Sequence, residues 1–272
     1  MKPMYNKIIS VLILLLLPGL AGAEQVKDQP RQVLFKNVNI FDGKNEKLKM
    51  ERDVLIEGNL IKHIGKGLKA GNGASVVEGE GRTLMPGLID MHTHLMFRDG
   101  VAVMRSDFDA QAAGAAAMET LQLYMNMGYT TVRDVGGNSL GLARNVAAGR
   151  LKGPRIYSSG CAISPISGHN DLAMFSEAPG EDVFTRRGDT HLISGPVEAR
   201  EATRKLIRGG ASQIKIMVGG GVASDFDPLY ADTMSEDEIR AIVDAAADFG
   251  TYACAHAYTD SSINRVFDAG GR

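Results

Sequence analysis

The sequence predicts an α/β protein in which a small β unit precedes about five strand-then-helix units. Three observations predict it. Turn-separated apolar runs give way, after Pro86-Gly87, to strand patterns alternating with helical ones. Ser235 and Glu238 form a capping box at the start of one such helix. Gly is enriched at 32 residues while aromatics are 6% and Trp is 0, which suits a loop-bearing α/β protein. Repeated strand–helix units imply a parallel sheet with right-handed crossovers. The sheet is either open, or belongs to a (β/α)8 TIM-type barrel that is incomplete. A closed barrel needs about eight units and about 250 residues, and residues 84–272 hold only about five.

In chain order, Lys2 and Lys7 precede an apolar run over 8–17, then Pro18-Gly19 and the small-x-small pattern Ala21-Gly22-Ala23. This reads as a secretory signal peptide over 1–23, cleaved after Ala23. The run is about half the length that spans a bilayer, and no Cys follows for lipid attachment. The mature protein is therefore expected to be secreted, periplasmic in a Gram-negative cell. Residues 24–32 are a polar lead. Short strands follow at 33–35 and 38–41, and the runs 53–56 and 60–64 flank Gly58-Asn59 as a hairpin. Residues 24–84 form the N-terminal unit and 85–272 the α/β part. There, strands are expected at 88–95, 129–135, 155–163, 212–218 and 251–258. Helices are expected at 108–127, 140–151, 197–207, 235–249 and 260–268, with a long loop from 163 to about Gly195.

Hydrophobic residues at 44% and charged residues at 23% are ordinary for a packed core. Thirty Lys and Arg against 32 Asp and Glu give a net charge of -2, which argues against a nucleic-acid partner. Two Cys exclude a disulfide scaffold.

The chemistry gathers at strand ends. In the first α/β strand, alternation places Asp90, His92 and His94 on one face and Ile89, Met91 and Leu95 on the other, under helices. Two imidazoles two residues apart converge on one metal ion, and the C-terminal ends of such strands carry chemistry. In the fourth strand, Ile214, Ile216 and Val218 form the packed face, so Lys215 faces inward. Burial lowers an ammonium's pKa. A neutral amine can take up carbon dioxide to form a carbamate that bridges two divalent ions; alternatively Lys215 pairs with Asp90 or Asp134. In the fifth strand, Tyr252, Cys254, His256 and Tyr258 share a face, with His256 a ligand candidate level with Lys215 and Cys254 one pleat deeper as packing. His169, on the long loop, is a candidate polariser or substrate contact. Arg133 and Asp134 are expected to form an ion pair beneath the site, and Gly219 to Gly221 a flexible turn that lets backbone approach it. His63 and His191 are expected at the surface.

Five stretches together resemble the amidohydrolase superfamily, in its branch of imidazolonepropionase-like and Xaa-Pro or Xaa-Arg dipeptidase-type metal-dependent hydrolases. They are LMPGLIDMHTH from Leu84, YTTVRDVGG from Tyr129, ISPISGHND from Ile163, QIKIMVGGG from Gln213 and AHAY from Ala255. The resemblance implies a binuclear site, expected to hold two zinc ions. His92 and His94 would hold one ion, His256 the other, and a carbamate on Lys215 would bridge them. It also implies that 33–84 belongs to a small β-sandwich built from both chain ends. The family carries a further His after the sixth strand and an Asp, the general base, after the eighth, and this sequence reaches neither; the chain is expected to be truncated.

The implied reaction is hydrolysis of an amide or peptide C–N bond through a metal-activated water. A small dipeptide is the expected substrate, with His169 and Tyr258 stabilising the oxyanion or holding a substrate carboxylate. The alternatives are a cyclic-amide hydrolase of the imidazolonepropionase or dihydroorotase kind, and an inactive remnant whose exposed strand edges need covering. Expected partners are a small-molecule or dipeptide substrate and, at most, further copies in a homo-oligomer, with no stable membrane anchor.

Overall fold

The computed structural model describes residues 31–98, 100 and 109–272. The segment 1–23, expected to be a signal peptide, most of the polar lead and Phe108 lie outside the described residues. Among the described residues no helix is long and apolar enough to cross a membrane. The chain divides into two compact units at Pro86/Gly87.

The first unit is one mixed sheet built around β1 (Gln32–Ile40). β1 runs antiparallel to β2 (Lys49–Glu57), which forms the expected hairpin with β3 (Leu60–Gly65). It runs parallel to β4 (Ser75–Glu78) and β5 (Thr83–Leu84). The two short runs expected at 33–35 and 38–41 are thus a single strand, interrupted by a bulge where Asn37 takes a φ of 49°. The buried carboxylate of Asp53 accepts the Asn37 N–H at 3.0 Å and the Leu68 N–H at 3.0 Å, which stabilises that bulge. Val38, Ile40 and Val54 form the core. The described residues of this unit form a single sheet.

The second unit is α/β with parallel strands throughout its ladders. In order it comprises β6 (Leu88–Thr93), α1 (Ala110–Asn126), β7 (Tyr129–Asp134), α2 (Leu140–Ala147), β8 (Arg155–Ser158), β9 (Ala162–Pro165), α3 (Val183–Arg187), β10 (Thr190–Ile193), α4 (Pro196–Gly209), β11 (Ile214–Met217), α5 (Glu236–Ala247), β12 (Ala253–His256) and α6 (Asp260–Asp268). The sheets run β6-β7-β8 and β10-β9-β11-β12. The packed layer behind the second is aliphatic: Ile214, Ile216 and Val218 meet Ile239, Ile242 and Ala246 of α5, as the alternation in β11 requires.

The strand expected at 155–163 is broken in two. Gly160 adopts a φ of +69°, a left-handed conformation that ends β8 and redirects the chain into β9. The neighbouring loop, expected to be structureless to Gly195, contains α3 and β10. His191 lies on β10 and is half-buried rather than at the surface, whereas His63 is exposed. The capping box forms: Ser235 Oγ accepts the Glu238 N–H, and Glu238 Oε2 accepts the Ser235 N–H at 2.9 Å. The same carboxylate reaches across to accept the Gly195 N–H at 2.7 Å, tying the start of α4 to α5.

Candidate metal centre

Asp134, wholly buried at the end of β7, organises the histidine pair. Its Oδ1 accepts the Leu95 N–H at 2.7 Å and the Thr93 hydroxyl at 3.2 Å, and Ser139 donates to its other oxygen. Gripping residues 93 and 95 leaves His94, between them, turned the other way. Burial raises this carboxyl to about 7, against the opposing pull of those hydrogen bonds. His94 packs against the Gly136 backbone, where a Cβ would come within 2.9 Å of its Nδ1. The rings of His92 and His94 meet edge to face at 5.2 Å.

Three expectations about this region are corrected. Arg133 and Asp134 form no ion pair, because successive strand residues point to opposite faces. Arg133 Nε donates to the Met91 carbonyl at 2.7 Å and Nη1 to the Tyr252 hydroxyl at 3.1 Å. Asp90 does not share a face with the imidazoles; its carboxylate takes the hydroxyl of Tyr124, on α1, at 3.2 Å. Ile89 and Met91, expected under helices, are 59% and 54% exposed. They line a cavity of about 360 Å³ with Arg133, Tyr157, Gln213 and Tyr252. The cause is irregular pairing of β6 with β7, which shifts register between Leu88 and Ile89 and again between Asp90 and Thr93.

Lys215 is buried, 3% exposed, and has no hydrogen-bond or ion-pair partner among the described residues, so neither Asp90 nor Asp134 neutralises it. Burial lowers its amine pKa, with Arg133 adding to the effect. Its charge is also felt at His92, His94 and His256, so the four groups occupy one neighbourhood. The register corrects the expected heights. Cys254 pairs with Lys215, while His256 pairs with Met217, one pleat further on.

Burial is the largest cause of lowered pKa at all three histidines, with His94 and His256 each brought to about 4. At neutral pH they are neutral imidazoles, the form that binds metal. His256 Nε2 faces the Gly220 carbonyl at 3.1 Å. A carbonyl only accepts, so the proton sits on Nε2 and the lone pair on Nδ1. Among the described residues no three His, Cys, Asp or Glu side chains are close enough together to hold an ion. The donor set nonetheless fits a divalent ion chemically: three imidazoles, each of which feels the charge of the Lys215 amine.

His169 stacks flat on His256, with centroids 4.0 Å apart, so the loop after β9 reaches the end of β12. It is not a solvent-exposed loop residue: its Nδ1 lies 2.9 Å from Asp227 Oδ2 and 3.0 Å from Ser224 Oγ. Tyr258, 57% exposed, also meets His256, edge to face at 4.9 Å. The three glycines after β11 are fixed by close approach: a Cβ would meet Ser262 at Gly219, the Pro228 carbonyl at Gly220 and the His169 ring at Gly221. Sequence reasoning missed Asp227 and Ser224. The spacing Ser-x-x-Asp just beyond an inward-facing strand end was the available signal.

Parallel α/β units with imidazoles gathered at their strand ends define a domain of the TIM-barrel type. Residues 83–272 match the Amidohydrolase family, and the chain belongs to that family. It is similar to the ochratoxinase of Aspergillus niger, 32% identical over 208 residues, which cover 69% of this chain and 42% of that protein. Among solved structures it resembles a prolidase complexed with N-methylphosphonate-L-proline (34% identity, TM-score 0.81, covering 89% of this chain and 60% of the other). It also resembles a Xaa-Pro dipeptidase with bound methionine (28% identity, TM-score 0.74, covering 88% and 60%). The chain thus spans less than two thirds of the length of each of these proteins.

Proposed function

We propose that this chain contributes the metal-binding face of a hydrolase that cleaves an amide or peptide C–N bond in a small substrate, a dipeptide being the substrate class. The observation that carries this reading is the shared neighbourhood of His92, His94, His256 and the unpaired amine of Lys215. The similarity to a prolidase and a Xaa-Pro dipeptidase supports the substrate class. The units from β6 to α6 are read as part of a (β/α)8 barrel, and residues 1–23 as an export signal.

His92 and His94 would hold one ion and His256, through Nδ1, a second, zinc suiting this nitrogen-rich set. Such ions, when bound, supply Lewis-acid polarisation of a carbonyl and an acidified water. The Lys215 nitrogen would add to the carbon of carbon dioxide, one C=O π pair moving to oxygen and one proton leaving the nitrogen, and the carbamate so formed would supply anionic oxygen ligands beside the imidazoles. Asp134 holds the backbone on either side of His94. Gly220 fixes the tautomer of His256, and His169 and Tyr258, both in contact with that ring, contact the substrate.

The test is metal analysis of the purified chain beside hydrolysis of Xaa-Pro dipeptides. His92→Ala and His256→Ala should each lower bound metal and abolish turnover while the circular dichroism spectrum stays native. Unchanged metal content in both variants overturns the assignment.

A further inference from the structure

Phe97 lies just past the end of β6, and its ring stacks on the His94 imidazole, with centroids 5.9 Å apart and planes 29° from parallel. We propose that Phe97 is a positioning residue that holds the His94 ring in the orientation a metal ion needs, and that the segment between β9 and β10 sets metal affinity through it. This deepens the reading of His94 as a ligand and rests on it.

An imidazole at a strand end can turn about both of its side-chain bonds, through staggered states at the first and a broad range at the second. A ligand ring must present its nitrogen in one of these orientations, and holding it there in advance removes the ordering cost from binding. Asp134 grips Thr93 and Leu95 on either side of His94 but leaves the ring torsions untouched. What restrains them is packing. Gly136 lies against the ring, where a Cβ would come within 2.9 Å of Nδ1, and Phe97 stacks on it.

Phe97 can restrain another ring because its own is held. It meets Phe184 of α3, which is wholly buried, edge to face at 6.1 Å. The Phe184 N–H is taken by Asp182 Oδ1 at 2.9 Å, its carbonyl accepts the Asp189 N–H at 2.9 Å, and the Arg187 guanidinium lies 5.2 Å over its ring. Buried Asp189 accepts Arg187 Nε at 2.8 Å and, through its other oxygen, the Asn138 N–H at 3.2 Å. Asn138 follows Gly136 and Gly137, and a Cβ at Gly137 would come 3.6 Å from the Phe97 ring. The contacts thus close into a circuit, from His94 through Phe97, Phe184, Arg187 and Asp189 back to the turn that packs on His94.

Core packing alone does not account for this circuit. Leu95, Leu121 and Val132 form the core beside β6 and β7, whereas Phe97 is half-buried at the edge of a separate small cluster around Leu172 and Phe184. An aliphatic side chain would fill that edge, but it has no flat face to lay on an imidazole. A buried ion pair such as Arg187 with Asp189 is likewise a weak source of stability. Here it ties the ring behind Phe97 to the turn beside His94.

The test is zinc binding by the metal-free chain, read in competition with a chromophoric chelator, beside thermal unfolding without metal. Phe97→Leu should weaken zinc binding about tenfold, the low end for residues that orient metal ligands. Val183→Ala, which trims the same small cluster and keeps the Phe97 ring, should lower Tm and leave zinc affinity unchanged. Equal weakening in the two variants overturns the positioning role, because it would mean that stability alone sets affinity. A second readout needs no variant of Phe97 to fold. In the metal-free wild type labelled with 13C,15N-histidine, the His94 ring, assigned by its loss in His94→Gln, should give one set of sharp signals with nuclear Overhauser contacts to the Phe97 ring. Exchange of that ring among several orientations overturns the proposal. Zinc bound equally by Phe97→Leu and wild type overturns it too, while leaving His94 a ligand. Zinc affinity unchanged in His94→Gln refutes the metal reading itself, and the positioning role with it.

Discussion

The imidazoles of His169 and His256 lie in parallel contact, 4.0 Å apart, although one belongs to a loop and the other ends a strand. What makes the contact possible is the missing side chain at Gly221, beside the His169 ring. Gly221→Ala should therefore push His169 out of the stack, costing about 1–3 kcal/mol of stability by overpacking and at least tenfold in turnover. Gly114, inside α1 with open space around its Cα, is the control. Gly114→Ala should stabilise by about 0.5–1 kcal/mol without altering turnover. Thermal unfolding and steady-state rates of the two variants check both.

Lys215 is buried beside three imidazoles and Arg133 with no anion to pair it, an arrangement that favours the uncharged amine. Its folded pKa lies below the unfolded value of 10.5, so between the two the unfolded chain binds the extra proton. Stability of the metal-free protein should then rise as pH climbs toward 10.5. Lys215→Met should lose that rise and be more stable than wild type near neutrality, by about 1–4 kcal/mol. It should also lose metal. Urea unfolding at two pH values in chelator, and metal analysis, test the pair of outcomes; a less stable Met variant would refute the unpaired amine.

Arg133 joins three strands, donating to the Met91 carbonyl on β6 and the Tyr252 hydroxyl just before β12 from its place on β7. Met91, Arg133 and Tyr252 all line one cavity. Arg133→Met should cost about 1.5–3 kcal/mol, the range for hydrogen bonds to a charged group, and Tyr252→Phe less, since it removes one bond. Near-equal losses would indicate that the Met91 bond contributes little.

The packed face of β11, the hairpin at Gly58 and the α5 capping box were legible in the sequence because each depends on local periodicity or on a side chain reaching three residues. The imidazole pair was legible for the same reason. The face of Asp90 was not: it depends on how β6 slips against β7, and a register shift leaves no mark on alternation within one strand. The break at Gly160 and the extra strand β10 escaped notice because a short strand of four residues inside a polar loop has too little pattern to detect. Asp227 was invisible for a third reason. Its partner His169 is 58 residues away, and only the fold brings the two loops together.

Asp134 makes the pH dependence of the second unit a contest of signs. Burial lifts its carboxyl to about 7, from 3.8 for the free group. Between those values the folded chain binds the extra proton, so this residue's contribution is fully present below about 4 and is lost as pH rises to about 7. His94 and His256 act oppositely. Lowered to about 4 from 6.5, they bind the extra proton only when unfolded, so stability is lost as pH falls from 6.5 toward 4. Asp134→Asn keeps an oxygen for the Leu95 N–H and an amide N–H for Ser139, but cannot titrate. Wild type should show a shallow profile between pH 4 and 7, and the Asn variant should gain relative stability steadily with pH, by up to about 4 kcal/mol across the window. Urea midpoints at pH 4.5, 5.5 and 7 decide it. Parallel profiles for the two proteins would mean that Asp134 is ionised throughout and that the hydrogen bonds from Leu95, Thr93 and Ser139 outweigh its burial.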